Sequence, residues 1–143
     1  MTACILDASV AVKAFLPVDG HAQALAVLDR FDLMAPGLVL TETANGFWTY
    51  LRRGEISLID MRLSLRTLAK AIDIRPEQDL VEDALALATD LDHPVYDCLY
   101  LVLARREGLP LVTADRRLLK LARDRLGLDA IDLADIPAEG GPP

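Results

Sequence analysis

Short apolar runs alternate with longer amphipathic segments along this 143-residue chain, and this alternation restricts its fold more than any other feature. Runs such as 3–6 and 111–113 have the length of buried strands, whereas segments such as 57–72 repeat apolar residues at helical spacing. Strands that alternate with helices build βαβ units, whose parallel sheet is covered on both faces. The pattern predicts an α/β domain with a central, mostly parallel sheet of four to five short strands flanked by helices.

The apolar pattern also places the individual elements. The predicted strands lie near 3–6, 33–35, 72–75, 111–113 and 130–133, and helices fill the segments between them. Ser57 is placed to cap one helix, and Asp92-His93-Pro94 predicts the start of another, because Asp caps helices well and Pro is tolerated in a first turn. That next helix, 95–105, is apolar on nearly all sides and is therefore predicted to be central and buried. We expect one domain over residues 1–136 and a disordered tail over 137–143.

Composition excludes several broad classes of protein. The chain is 52% hydrophobic and 26% charged, which is too apolar for a disordered protein. Charged residues interrupt every apolar run before the ~18 residues that a membrane helix needs, and Asp7 interrupts the apolar stretch that a signal peptide would require. Cys4 and Cys98 lie among aliphatic residues, which predicts buried thiols rather than a disulfide. We expect a soluble, cytoplasmic protein that does not associate with membranes.

Acidic residues lie where a parallel sheet would gather them. Asp7 directly follows the first predicted strand, and Asp115 follows the strand 111–113. Ligands of such folds bind beyond the carboxyl ends of the strands. Glu42 and Asn45, three residues apart on one helix, are predicted to project together from a face outside the main apolar stripe. Structural explanations also exist, because Asp7 and Asp115 could cap helices and Glu42 could face a helix dipole.

Asp97 is harder to explain structurally. It lies within the apolar helix, and no Lys or Arg stands near it in sequence before Arg105. Burying an isolated carboxylate costs several kcal/mol, whereas a first-turn helix dipole returns only ~0.3–1 kcal/mol. We therefore expect Asp97 to be buried and to have a functional role.

If the four acids Asp7, Glu42, Asp97 and Asp115 meet at one site, their mutual repulsion must be relieved. Carboxylates ~6 Å apart at an effective dielectric of ~20 repel by about 2.8 kcal/mol per pair, or roughly 17 kcal/mol in total. That sum exceeds the ~5–15 kcal/mol stability of a typical domain, so some members must be protonated or must bind metal. An all-oxygen set suits Mg²⁺ or Mn²⁺. Zinc is disfavoured because the Cys and His residues lack zinc-site spacing, and we expect His21 at the surface and His93 at a helix start.

Four segments together carry a family resemblance. They are Ile5-Leu6-Asp7-Ala8-Ser9-Val10, Glu42-Thr43-Ala44-Asn45, Val95-Tyr96-Asp97-Cys98-Leu99-Tyr100 and Val112-Thr113-Ala114-Asp115-Arg116-Arg117-Leu118. In this order and spacing they resemble the PIN-domain family, and within it the VapC-type toxins of type II toxin–antitoxin pairs. The resemblance spans residues 5–133. Cys98 departs from the small residue, such as Ala, that is usual at its position, but Cys is small enough to pack there.

The resemblance implies a metal-dependent endoribonuclease that hydrolyses RNA phosphodiester bonds with Mg²⁺ or Mn²⁺. The implied catalytic and metal-binding acids are Asp7, Glu42, Asp97 and Asp115. The implied supporting residues are Ser9, Asn45 and Thr113. Arg116 and Arg117 are candidate RNA contacts, which matter because a net charge of −7 opposes the binding of a polyanion. The resemblance further implies a homodimer and a small antitoxin partner, both using the region around Phe47, Trp48 and Tyr50 and the helix that follows it.

Three other functions fit parts of the pattern. A protein-interaction module could keep this fold without chemistry, but it would be expected to lack an acid, and none of the four is missing. An aspartate phosphatase needs a second Asp two residues after the first, where Ser9 stands. A response-regulator receiver needs an acidic pair and a late Lys, and Lys120 does not fit that arrangement. The nuclease therefore remains the favoured interpretation.

Overall fold

Five short parallel strands form one sheet at the centre of the molecule. The computed structural model describes residues 2–138, and the strands are β1 (Thr2–Leu6), β2 (Phe31–Pro36), β3 (Ile72–Arg75), β4 (Leu111–Thr113) and β5 (Ala130–Asp132). Their order is β3-β2-β1-β4-β5, and all neighbours run parallel. The central strand β1 sets Ile5 beside Met34 on one side and Leu111 on the other. The predicted α/β class and parallel sheet are confirmed.

Helices connect the strands at nearly the predicted places. They are α1 (Ala8–Lys13), α2 (His21–Arg30), α3 (Leu38–Arg52), α4 (Leu58–Ala71), α5 (Val81–Leu91), α6 (Val95–Glu107) and α7 (Arg116–Lys120). The chain after α7 continues as a wider π-helical turn over Leu121–Arg125, and Glu77–Asp79 and Leu133–Asp135 are short 3₁₀ turns. Apolar periodicity over 9–16 predicts a longer first helix, but α1 ends at Lys13 and residues 14–20 form turns and bends.

Two predicted helix caps have different outcomes. Ser57 caps α4, since its Oγ accepts a hydrogen bond from the Asp60 amide at 3.1 Å. The prediction that Asp92 caps α6 is wrong: Asp92 ends α5 in the left-handed conformation, with φ of 50°, and Pro94 occupies the N-cap position of α6. Asp adopts this conformation more readily than most residues, because its short polar side chain can bond locally. The intervening His93 is buried.

The core centres on α6, as its apolar composition predicts. Every residue from Cys98 to Ala104 is buried, and the helix packs between α5 and the sheet. Cys4 and Cys98 are buried free thiols whose pKa values are raised by burial, to about 12 and about 11. No helix within residues 2–138 is both long and apolar enough to cross a membrane. Pro137 and Ala138 are exposed, and the rest of the expected tail, 139–143, lies outside the described residues.

A glycine brings α1 and α3 into close contact. A Cβ atom at Gly46 of α3 would lie 2.7 Å from Cγ2 of Val12 on α1, which is too close for a real methyl group. Nearby, Phe15 and Phe47 pack edge to face with ring centroids 6.1 Å apart. This contact fixes α3 beside the carboxyl end of β1 and so positions the acidic residue that α3 carries.

Candidate active site

The four predicted acids line one cavity of about 360 Å³. Asp7 follows β1, Glu42 lies on α3, Asp97 lies in the first turn of α6, and Asp115 follows β4. Since β1 and β4 are neighbouring parallel strands, their carboxyl ends open on the same edge of the sheet. The topology therefore gathers carboxylates from sequence positions as far apart as 7 and 115.

Asp7 is the most enclosed of these acids. It has only 5% of its surface exposed, and it stands at the N-cap position of α1 without making a side-chain capping bond. Its Oδ2 instead accepts hydrogen bonds from Ser9 Oγ at 2.5 Å and Thr113 Oγ1 at 2.8 Å. Burial raises the pKa of Asp7, these two hydrogen bonds lower it, and the charges of Asp97 and Asp115 raise it further. The net effect on the pKa is upward.

The two hydroxyls that bind Asp7 also fix the loop after β4. Ser9 Oγ accepts a hydrogen bond from the Ala114 amide at 2.9 Å, and Thr113 Oγ1 accepts one from the Asp115 amide at 3.0 Å. Ser9 and Thr113 thereby join the carboxyl ends of β1 and β4 around one carboxylate. The structure therefore brings these two predicted hydroxyls to Asp7.

Glu42 is half-buried in the second turn of α3 and accepts a hydrogen bond from Tyr100, whose hydroxyl lies 2.7 Å from Oε1. The dipole explanation is weak there, because that effect fades within the first turn. Burial raises the pKa of Glu42, the Tyr100 hydrogen bond lowers it, and the charges of Asp7, Asp97 and Glu77 raise it. Sequence reasoning missed Tyr100. The available signal was a Tyr hydroxyl within the apolar run 98–104 of α6, because a buried Tyr needs a polar partner.

Asp97 differs from expectation in two respects. Its side chain is 28% exposed rather than fully buried, because it faces the cavity instead of the core. It also has a partner that the search for Lys and Arg overlooked: His93 Nε2 lies 2.7 Å from Asp97 Oδ2, four residues earlier in sequence. The Asp97 carboxylate accepts this hydrogen bond from the N–H of the imidazole.

Asp115 combines a capping role with a position at the cavity. Its Oδ1 accepts hydrogen bonds from the amides of Arg117 at 2.9 Å and Leu118 at 3.2 Å, so the helix-capping interpretation is confirmed for this residue. It is nevertheless one of the residues that line the cavity.

Three other predicted residues lie outside the cavity. Asn45 is exposed on α3 and is not among the residues that line the cavity. Arg116 and Arg117 are exposed at the start of α7 and line two neighbouring cavities.

The donor set fits a hard divalent cation in its chemistry. Carboxylate oxygens are the ligands that Mg²⁺ and Mn²⁺ prefer, and the raised pKa values of Asp7 and Glu42 partly reflect repulsion that a cation would relieve. Within residues 2–138, no three His, Cys, Asp or Glu side chains are already arranged to hold one ion. Mg²⁺ is often bound through one or two carboxylates and retained waters, so such a group of three is not required.

Comparisons with known proteins agree with this arrangement. A model of the PIN domain matches residues 4–124, which is most of the chain. The chain belongs to the PIN-domain family. The match includes all four acids of the cavity, and it confirms the resemblance that the motifs carry.

One relative and one solved structure similar to this PIN domain come from Pyrobaculum aerophilum. One is called Ribonuclease VapC3 and is 33% identical over 118 residues, covering 80% of this chain and 90% of that protein. The other is the crystal structure of PAE2754, which is 23% identical, has a TM-score of 0.71, and covers 93% of this chain and 90% of its own. The similarity to Ribonuclease VapC3 supports a VapC-type PIN protein. The similarity to the PAE2754 structure shows that the two proteins share a fold.

Proposed function

We propose that this PIN domain is a divalent-metal-dependent endoribonuclease that hydrolyses RNA phosphodiester bonds in the cytoplasm as the toxin of a toxin–antitoxin pair. The observation that carries the proposal is the cavity lined by Asp7, Glu42, Asp97 and Asp115, contributed by four separate segments of the chain. The family assignment and the relative called Ribonuclease VapC3 support the same activity.

The proposed chemistry divides the work among the acids. Asp7 and Asp97 would hold Mg²⁺ or Mn²⁺, which supplies an activated water and a counter-charge for the scissile phosphate. Glu42 would accept the proton of the attacking water. Its pKa is raised, and a carboxylate of raised pKa is a stronger base near neutral pH. Tyr100 orients Glu42 through its hydrogen bond to Oε1. Asp115, held by its capping bonds, would present its other oxygen to the cavity.

Cleavage of single-stranded RNA by the purified protein tests the activity. We expect Mg²⁺ or Mn²⁺ to support cleavage, excess EDTA to stop it, and Asp97→Asn to abolish it while the circular dichroism spectrum is unchanged. Asp90→Asn is the matched control, because Asp90 is exposed on α5 and does not line the cavity. Full activity in EDTA, or in both Asp7→Asn and Asp97→Asn, would refute the proposal.

The partner proposal is tested in cells. We expect expression of the wild-type protein to arrest growth, and co-expression of a small cognate antitoxin to relieve the arrest. Asp97→Asn should be harmless at the same protein level, because the arrest depends on cleavage. Harmless expression of an active, folded wild-type protein would overturn the toxin assignment. A wild-type protein that never cleaves RNA would favour an interaction module without chemistry.

The proposed homodimer is tested by the mass of the purified protein in solution.

A further inference from the structure

Lys13 stands between the carboxylate cavity and a second cavity. Among residues 2–138, it is the one basic side chain that lines the cavity of the four acids. It also lines the neighbouring cavity of about 260 Å³, together with Gln23 and Arg116. The two cavities adjoin, since the consecutive residues Ala114 and Asp115 are divided between them.

The segment 19–21 holds the Lys13 side chain in place. Nζ donates a hydrogen bond to the Asp19 carbonyl at 2.9 Å, which leaves two of its three N–H groups for other acceptors. The aliphatic stem lies against Gly20, where a Cβ atom would be 3.1 Å from Lys13 Cδ, and a φ of +90° also favours glycine there. His21 Nδ1 contacts the Lys13 carbonyl at 2.8 Å. Lys13 is therefore oriented before any ligand binds, which lowers the entropy that binding must cost.

The second cavity differs from the first in charge. Its basic groups are Lys13 and Arg116, and its acids are Asp19 and Asp132. Asp132 Oδ1 accepts a hydrogen bond from the Ala134 amide at 3.0 Å, so this carboxylate is already engaged by its own turn. Asp19 is exposed to water. A phosphate in this cavity would meet two cations, the Gln23 amide and two carboxylates, whereas a phosphate in the first cavity meets four carboxylates and one lysine.

We propose that Lys13, Gln23 and Arg116 form a subsite for the phosphate next to the one that is cleaved. The inference rests on the proposed ribonuclease function, in which the RNA strand continues from the carboxylate cavity into the second cavity. The scissile phosphate can be neutralised by the divalent cation, but its neighbour needs protein cations, because phosphate contacts provide most of the affinity for a nucleic-acid backbone. Lys13 lies at the junction and contacts this second phosphate.

Salt-dependent RNA binding tests the subsite apart from cleavage. We would measure the fluorescence anisotropy of a labelled single-stranded RNA in the Asp7→Asn background, with Mg²⁺, from about 50 to about 200 mM salt. Lys13→Met keeps the aliphatic stem and removes one charge, so the slope of log Kd against log salt should fall by about 0.7, the value for one phosphate contact on a single strand. Arg116→Gln should lower the slope similarly, and Lys13→Arg should preserve it. Lys70→Met is the control, because Lys70 is exposed on α4 and lines neither cavity.

The outcomes separate the subsite from the ribonuclease proposal. An unchanged slope in both Lys13→Met and Arg116→Gln, with RNA still cleaved by the wild-type protein, would overturn the subsite and leave the ribonuclease proposal standing. A wild-type protein that neither binds nor cleaves RNA would overturn both. Arg116 is exposed, so its variant reports on the subsite even if Lys13→Met unfolds the protein.

Discussion

Asp7 shows how a single carboxylate can oppose folding while serving a site. It is buried beside other acids, and the hydroxyls of Ser9 and Thr113 offset its lost hydration only in part. Because burial raises its pKa in the folded chain above the ordinary value of 3.8, the folded state holds this proton more tightly than the unfolded state. The free energy of unfolding therefore falls as pH rises from 3.8 through the raised pKa of Asp7 in the folded chain.

Asp7→Asn should abolish RNA cleavage and raise stability at neutral pH. The amide removes the buried charge, and we expect a gain on the order of 1 kcal/mol, which is about 2–4 °C in melting temperature for a domain of this size. The gain should shrink as pH falls through the raised pKa and should vanish below the ordinary value of 3.8, where the wild-type carboxyl is protonated in both states. Thermal melts without metal at several pH values measure this difference, with Asp90→Asn as the control. A variant less stable than the wild type at pH 7 would contradict the charge argument.

Tyr100→Phe should shift the pH dependence of cleavage. The tyrosine hydroxyl lowers the pKa of Glu42, so its removal should raise that pKa further. If Glu42 accepts a proton from water, the rise of activity with pH will then occur at higher pH, and activity at low pH will fall. The pH–rate profile measures the shift. Tyr96→Phe is the matched control, because Tyr96 is 64% exposed on the same helix.

Sequence spacing identified the acids but not their partners. Asp7, Glu42, Asp97 and Asp115 could be singled out because their apolar surroundings or strand-end positions require an explanation. No partner could be predicted for Tyr100 or His93, because their hydrogen bonds depend on how α6 is rotated toward α3 and on the turn before it.

The exposure of Asn45 has a related cause. Residues three apart on a helix differ by about 60° in direction, which is enough to carry a side chain from the cavity to solvent. Helical spacing alone therefore cannot decide whether Asn45 accompanies Glu42.

At the scale of elements, the packing of α1 against α3 sets the width of the cavity. Gly46 allows Val12 to approach the α3 backbone, and Val12 itself lines the cavity beside Glu42. Any side chain at position 46 must push the two helices apart, because a β-branched Val has little freedom to move aside.

Gly46→Ala should destabilise the protein despite the better helix propensity of Ala. Overpacking of this kind costs about 1–3 kcal/mol, which outweighs the ~1 kcal/mol that Ala offers over Gly within a helix. Val12→Ala in the same chain should restore most of the loss. Urea unfolding of the two single variants and the double variant measures the coupling. Additive effects would show that the contact does not limit the packing.

The elements themselves were largely predictable, with one instructive error. Five strands and seven helices follow from apolar periodicity, because a parallel sheet buried on both faces requires continuous apolar runs. Asp92 was misassigned because Asp favours both helix starts and left-handed turns. Only the tertiary position of His93 decides between the two: once this residue is buried, α5 must end at Asp92 in a tight turn.

The whole molecule carries an excess of acid, with a net charge of −7, and its acidic cavity adds local repulsion. Divalent cations should therefore act on folding as well as on chemistry. A ligand that binds only the folded state stabilises it by RT ln(1 + [L]/Kd).

Mg²⁺ or Mn²⁺ should raise the melting temperature, and EDTA should reverse the effect. The gain in the free energy of unfolding should approach about 2.7 kcal/mol when the ion concentration is a hundredfold above its Kd. Asp97→Asn should lose much of this gain, whereas Asp90→Asn should keep it. Differential scanning calorimetry measures the shift. An equal shift in both variants would place the ion elsewhere on the acidic surface.

The central strand β1 obtains its two neighbours at very different times during synthesis. Its pairing with β2 is possible once residue 36 has left the ribosome, but β4 and the aspartate that follows it arrive only after residue 115. A nascent chain that has reached Asp97 but not β4 contains three of the four acids, yet it lacks one wall of the cavity. The carboxylate cavity is therefore completed only when translation of the chain is well advanced.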